Sequence, residues 1–259
     1  MDKNLFPRRL MAALGLVVAV ILAGSFWFYL MRHQQVRQGV ESNLQTIARL
    51  KVEQIAAWRA ERLGDAAVLM ENAFFIEGVQ RWLAAPRAED AEKILTGFHS
   101  LQKSHDYRDI LLLDPSGKVL LSTSSQIVPL DVRKQGIALA FSGRRPVVTD
   151  LHTHPGNPAV DIDIILPLFA KNGSAARLVA VAVLRIDARQ VLYPLIQTWP
   201  TASRTAEILL VRRDGEDALF LNELRHRKDT ALKLRFPLSR TEMPAVMAVL
   251  GKQGVVEGR

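Results

Sequence analysis

Residues 109–122 read DILLLDPSGKVLLS. Two apolar runs flank a group of turn formers. Asp109–Asp114 is read as a strand, Pro115-Ser116-Gly117 as a turn and Lys118–Ser122 as the hairpin partner. N-terminal of this hairpin, apolar residues recur every three or four positions. C-terminal of it they come mostly in short extended runs. The chain changes from helix to strand here, so the class is α+β, with antiparallel sheets backed by helices.

Working back from the hairpin, Asn72–Leu101 gives two short helices. Phe74, Phe75, Ile76, Val79, Trp82 and Leu83 line the first, and Ala91, Ile94, Leu95, Phe98 and Leu101 the second, with a break at Ala85-Pro86. From Gln34 to Met70 the apolar stripe Val36, Val40, Leu44, Ile47, Ile55, Trp58, Leu63, Ala66, Ala67 and Met70 predicts one long helix. At ~1.5 Å per residue it is ~55 Å long, whereas a domain of ~100 residues has a radius of gyration of only ~13 Å. It reads as a stalk, able to pair with a second copy as a coiled coil.

Before the stalk, Leu10–Met31 (LMAALGLVVAVILAGSFWFYLM) carries no charge. As a helix it covers ~33 Å, enough for a hydrocarbon core of ~30 Å. Arg8 and Arg9 lie on one side and Arg32 and His33 on the other, and Phe26-Trp27-Phe28-Tyr29 sits at one end, as interfacial aromatic residues do. Cleavage at Ala23-Gly24-Ser25 would leave a greasy new terminus, so an uncleaved membrane anchor is expected. The short basic tail is placed in the cytoplasm and everything after Met31 outside it.

The chain has 259 residues, a net charge of +8, a pI of about 10 and no cysteine. Disulfides, thiolate metal sites and cysteine nucleophiles are thereby excluded. The basic residues are scattered. The one dense run, Arg225-His226-Arg227-Lys228, has no aromatic platform and reads as a solvated turn, so nucleic acid is not expected as a partner.

Beyond the hairpin, a helix is expected over Asp131–Phe141, a strand over Pro146–Leu151, and a loop over His152–Pro158. Two long strands follow, Val160–Phe169 and Leu178–Ile186, giving one antiparallel sheet of five strands. A second, similar pattern comes next: helix Gln190–Gln197, strands Thr205–Arg212, Asp217–Asn222 and Ala231–Phe236, helix Ser239–Leu250, and the opening of a strand at Gly254–Arg259. That second sheet looks incomplete, so the chain reads as a fragment of a longer protein. The expected division is tail 1–9, membrane helix 10–31, stalk 32–71, a membrane-distal module 72–189 and a truncated membrane-proximal module 190–259.

In this order of elements the chain resembles the double-Cache, PAS-like sensor domains of bacterial membrane receptors, most of all those of sensor histidine kinases. The stretches that carry the resemblance are Val52–Arg59 on the stalk, Tyr107–Asp114, Asp150-Leu151-His152, Leu184-Arg185-Ile186-Asp187 and Leu221–His226. It covers about residues 33–259. It implies a small-molecule ligand bound in the first module, a dimer through the stalk, no catalysis in this part, and an output domain elsewhere. The aromatic and arginine signature of the family's amino-acid receptors is not found here, so that ligand class is not carried over.

Candidate site residues cluster on the same stretches. Asp161 and Asp163 interrupt an apolar strand. Plain alternation puts them in water, with Ile162 and Ile164 in the core. Turned inward instead, they need cationic partners, which Arg108 and Arg185 can supply. Tyr107, Arg108 and Asp150 lie at strand ends near the same sheet, and with His152 at the start of the following loop they complete the ligand-binding set. His152 and His154, two apart like the aspartates, also suggest a metal-dependent hydrolase built with Asp161 and Asp163. The loop Pro155–Pro158 argues against regular strand geometry at His154, and no metal, cofactor or catalytic residue is assigned. No G-x-S-x-G, phosphate-cradling glycine loop or H-E-x-x-H occurs. A purely structural membrane scaffold is the remaining reading.

Overall fold

The computed structural model describes residues 5–124, 133–154, 157–172, 175–199, 203 and 205–256. Its fold is α+β, as the switch of period predicts. It divides into two compact units, Met1–Leu50 and Lys51–Arg259.

One helix, α1 (Leu5–Glu71), contributes to both units. Within the first unit it contains the apolar span, and it is the one helix among the described residues long and apolar enough to cross a membrane. Within the second unit it presents Ile55, Trp58, Ala66 and Leu69 to the core. The helices α2 (Ala73–Ala84) and α3 (Ala88–His105) follow. Asn72 caps α2 by accepting a hydrogen bond from the Phe75 N–H at 3.1 Å, and Ala85-Pro86 separates the two as expected. Asp106, at φ 55, ends α3 in a left-handed turn and starts the sheet.

The first sheet is antiparallel throughout, in the order β2-β1-β6-β5-β3 with β4 also on β5. Its strands are β1 (Asp109–Leu113), β2 (Val119–Ser122), β3 (Val147–Val148), β4 (His152–His154), β5 (Asn157–Asn172) and β6 (Ala175–Asp187). The hairpin turn is built by Asp114, whose Oδ1 accepts from the N–H groups of Ser116 and Lys118, both at 2.9 Å. Gly117 supplies the φ of 90 that a side chain would resist. The sheet has six strands rather than five. The expected strand Pro146–Leu151 shortens to β3, and part of the expected loop becomes β4. The cause is a backbone irregularity. Thr149 donates its N–H to the Asp163 carbonyl, and His152 stands opposite Asp161. Two residues, Asp150 and Leu151, thus face the single residue Ile162 on β5, which is a bulge.

Alternation then sorts the side chains. Ile110, Leu112, Ile162, Ile164, Leu166, Ala182, Leu184 and Ile186 point to one face, where α1, α2 and α3 pack in a continuous core. Leu111, Leu113, Ile165, Val181 and Val183 point to the other, where α4 (Arg133–Gly143) brings Ala140 and Ile137. The start of the expected helix, Asp131 and Val132, lies outside the described residues.

After α5 (Leu192–Gln197) comes a smaller antiparallel sheet, β7 (Val211–Asp214), β8 (Asp217–Phe220) and β9 (Arg235–Pro237), with α6 (Pro244–Val249) against it. Its first strand is much shorter than the expected Thr205–Arg212. Buried Asn222 explains this. Its side chain accepts from the Leu210 N–H at 2.7 Å and donates to the Ile208 carbonyl at 3.1 Å, taking the place of a strand partner. Residues 254–256 form no strand, and the rest of that expected element, 257–259, lies outside the described residues.

Candidate functional site

On the α4 side of the first sheet, one row of side chains is charged. The register pairs Asp109 with Arg185 and Arg185 with Asp163 across three adjacent strands. Arg185 Nε lies 3.1 Å from Asp163 Oδ1 and 3.7 Å from Asp161 Oδ2, and its Nη1 lies 3.8 Å from Asp109 Oδ2. Arg108 Nη1 donates to Asp161 Oδ1 at 2.8 Å. Asp109 is held further by the hydroxyls of Ser122 and Thr123 at 3.1 and 2.9 Å. The carboxylates and Arg185 are shut off from water, with Asp161 and Asp163 0% exposed and Arg185 3%, while Arg108 reaches in from a partly exposed position. The solvent-facing reading of the aspartates is therefore corrected. Their face is covered, and the guanidiniums of Arg108 and Arg185 compensate the burial.

Two imidazoles complete the cluster. The bulge at Asp150–Leu151 puts His152 and His154 in phase with Asp161, so both rings turn inward, and His154 is in strand β4 rather than a solvated loop. His152 is 7% and His154 4% exposed. His152 Nε2 lies 3.5 Å from Asp163 Oδ2, and His154 Nε2 lies 3.4 Å from Asp161 Oδ2. The two rings meet edge to face at 4.9 Å between centroids. His154 also lines an open cleft of about 330 Å³, together with Asn157, Arg189, Glu223 and Asp229.

This setting shifts two of the groups. Burial pushes the His152 imidazole pKa down, but the Asp163 carboxylate, the Asp150 carbonyl and the Asp161 charge together hold it above its ordinary value. Burial pushes the Asp161 pKa up. Arg108 and Arg185 pull it back and Asp163 adds to the rise, so Asp161 stays above the usual carboxylate range.

Of the seven residues singled out from sequence, the structure brings five together: Arg108, His152, Asp161, Asp163 and Arg185. Tyr107 does not join them. Its ring is buried in the helix-side core and stacks on His105 at 5.9 Å. The Asp150 carboxylate turns away and pairs with Arg212 near the second sheet, and only its backbone carbonyl reaches His152. Asp109 was missed. The signal was its phase: it heads the run DILLL in step with Leu111 and Leu113, so it shares their face.

No family model and no curated protein matches the chain. Several solved structures are similar to it. The ligand-binding domain of the Pseudomonas aeruginosa amino acid chemoreceptor PctB, in complex with L-Arg, is 16% identical with a TM-score of 0.47, over 77% of this chain and 75% of that one. The ligand-binding domain of PctC from the same organism, in complex with GABA, is 17% identical with a TM-score of 0.48, over 85% and 86%. That of the Pseudomonas fluorescens chemoreceptor CtaA, in complex with L-serine, is 15% identical with a TM-score of 0.46, over 76% and 77%.

Proposed function

We propose that this chain is the membrane-anchored, ligand-sensing part of a bacterial signal-transduction receptor of the sensor histidine kinase type, with catalysis assigned to none of residues 1–259. The observation that carries the reading is the buried cluster of Asp109, Asp161, Asp163 and Arg185 with its two histidines, closed at its rim by partly exposed Arg108. Replacing a buried ionic group with apolar residues of similar volume is often neutral or stabilising, by ~1–4 kcal/mol. A fold has no need of five charges on a sheet face that Leu111, Ile165 and Val183 already show can be apolar. Charges kept in such a place suit recognition, where bound solute gains from polar groups already held in position.

The apolar segment 10–31 supports the anchor, with the N-terminus in the cytoplasm of a bacterial inner membrane and residue 32 onward outside it. Val36, Val40 and Leu44 form an exposed line at helical spacing on α1, which suits a homodimer through the stalk. The distal module 72–189 takes the ligand and the proximal module 190–259 links it to the output. A ligand then acts by binding one packing of the sheet and stalk more tightly than another.

The test is thermal stability of the full chain in detergent across a panel of small solutes, repeated with Asp161→Asn and Arg108→Gln. The expected result is a ligand that raises the wild-type transition and loses its effect in both variants. A ligand response that both variants retain removes the cluster from the site. Topology has its own check. The chain has no native cysteine, so Ser100→Cys, exposed on α3, should react with a membrane-impermeant maleimide on intact cells.

A further inference from the structure

We propose that His152, His154 and Asp163 form a binding site for a single divalent transition-metal ion of the zinc or nickel kind, with Asp161 beside it. This rests on the sensor reading only for the ion's purpose, since it names the ligand class of the same cluster.

The geometry comes first. One donor atom from each of His152, His154 and Asp163 can be chosen so that all three lie within 4.8 Å of one another, and all three residues are buried. The gaps between His152 Nε2 and Asp163 Oδ2, 3.5 Å, and between His154 Nε2 and Asp161 Oδ2, 3.4 Å, are long for hydrogen bonds. They match the separation of about 3.4 Å between two ligands of a tetrahedral ion with bonds of about 2.1 Å.

The donors are also poised. His152 Nδ1 lies 3.0 Å from the Asp150 carbonyl oxygen. A carbonyl only accepts, so Nδ1 carries a hydrogen, and Nε2 is the nitrogen turned toward Asp163. A backbone carbonyl that fixes the tautomer of a ligating histidine in this way is the usual outer support of a metal site. His152 Nε2 and Asp161 Oδ2 are both buried and have no hydrogen-bond partner among the described residues. His152 Nε2 faces Asp163 Oδ2 and His154 Nε2 faces Asp161 Oδ2, each across a gap that a cation would bridge.

The charges agree. Asp109, Asp161 and Asp163 stand against Arg108 and Arg185, which leaves one negative charge for an ion to cover. Arg185 Nε lies 3.1 Å from Asp163 Oδ1 and its Nη2 3.5 Å from Oδ2, the oxygen that also faces His152. Two imidazoles with a carboxylate favour zinc, nickel or copper over magnesium or calcium, which prefer all-oxygen sites. His154, shared between the cluster and the 330 Å³ cleft, marks the route by which an ion arrives.

The experiment uses the tag-free full chain in detergent, stripped with a chelator and titrated with Zn²⁺ against a chromophoric competitor. The expected result is one Zn²⁺ per chain, at least a tenfold loss of affinity in His152→Gln and in His154→Gln, and no loss in His99→Gln, an exposed control. Melting of each variant shows whether it is folded. Co²⁺ in the wild-type site should give the visible bands of tetrahedral nitrogen–oxygen ligation, a readout that needs no variant. Absence of stoichiometric Zn²⁺ binding overturns the proposal and leaves a proton as the cation between imidazole and carboxylate. Binding that survives both histidine substitutions overturns it too. If Zn²⁺ fails but an organic solute still stabilises the wild type through Asp161 and Arg108, the ion is wrong and the sensor reading stands. If Zn²⁺ binds through the histidines, the site stands; an unchanged cross-linking pattern of cysteines placed along the stalk would then sink the sensor reading alone.

Discussion

Along β5, Val160, Ile162, Ile164 and Leu166 turn toward the helices, while Asp161, Asp163 and Ile165 turn the other way. The first face closes an apolar core with α1, α2 and α3. Apolar side chains of the right total volume can serve at its strand positions, because packing is what is asked of them. The second face begins the same way, with Ile165 under α4, and then gives way within two residues to buried carboxylates, guanidiniums and imidazoles. One strand thus carries a face explained by folding and a face that folding does not require. The contrast separates the residues that hold the sheet together from those expected to recognise a ligand.

The sharpest way to break that contrast is Arg185→Met. It keeps the length of the side chain and removes the cation shared by Asp109, Asp161 and Asp163. Breaking a buried ionic group by removing one partner costs about 3–5 kcal/mol. Chemical unfolding of the full chain should show a loss of that size. Arg185→Met combined with Asp163→Leu should recover part of it, since the orphaned carboxylate goes too. Strictly additive losses would mean the row is not a unit.

A smaller effect is expected where α4 meets the same face. Gly136 sits so close to the sheet that an added Cβ would lie 2.4 Å from Ile165 Cδ1. Gly136→Ala gains helix propensity of up to about 1 kcal/mol but overpacks a filled site, which costs about 1–3 kcal/mol. A net loss of stability by thermal melting is expected. A net gain would show that Ile165 moves aside freely and that α4 is not pressed on this face.

Much of this was legible in the sequence. The switch of period at Asp109 gave the class, the stripe from Gln34 to Met70 gave a long helix, and the alternation of Val160–Leu166 gave the strand and its two faces. Arg108 and Arg185 were readable as partners, because buried carboxylates demand cations. Which face was wet was not readable, since alternation is blind to what covers it. His154 was misjudged because the bulge at Asp150–Leu151 is a tertiary feature, set by how the edge strand meets β5. Asn222 shortened β7 for a like reason: a side chain that substitutes for a strand partner leaves no mark on periodicity.

The mildest prediction concerns the apolar face, where Tyr193 supplies a buried polar contact by donating its hydroxyl to the Leu221 carbonyl at 2.6 Å. Tyr193→Phe keeps the ring and loses that bond, costing about 1 kcal/mol, or a drop in Tm of about 2–4 °C for a chain of this size. The effect should also depend on pH. Burial pushes the Tyr193 phenol pKa up, with the Glu223 carboxylate adding and Arg189 opposing. In the unfolded chain a tyrosine titrates near pH ~10. Below that the folded and unfolded states hold the proton equally, and the contribution of Tyr193 is fully present. Above it the unfolded chain releases the proton while the folded chain keeps it, so this contribution falls as pH rises toward the folded value. Tyr107, also raised by burial, titrates in the same window and remains in both proteins, so the difference between wild type and Tyr193→Phe isolates Tyr193. The stability gap between the two should therefore be constant up to pH ~10 and then narrow. A gap that stays constant through that window would mean the phenol reaches water, and that the helix-side face is less closed than its counterpart under α4.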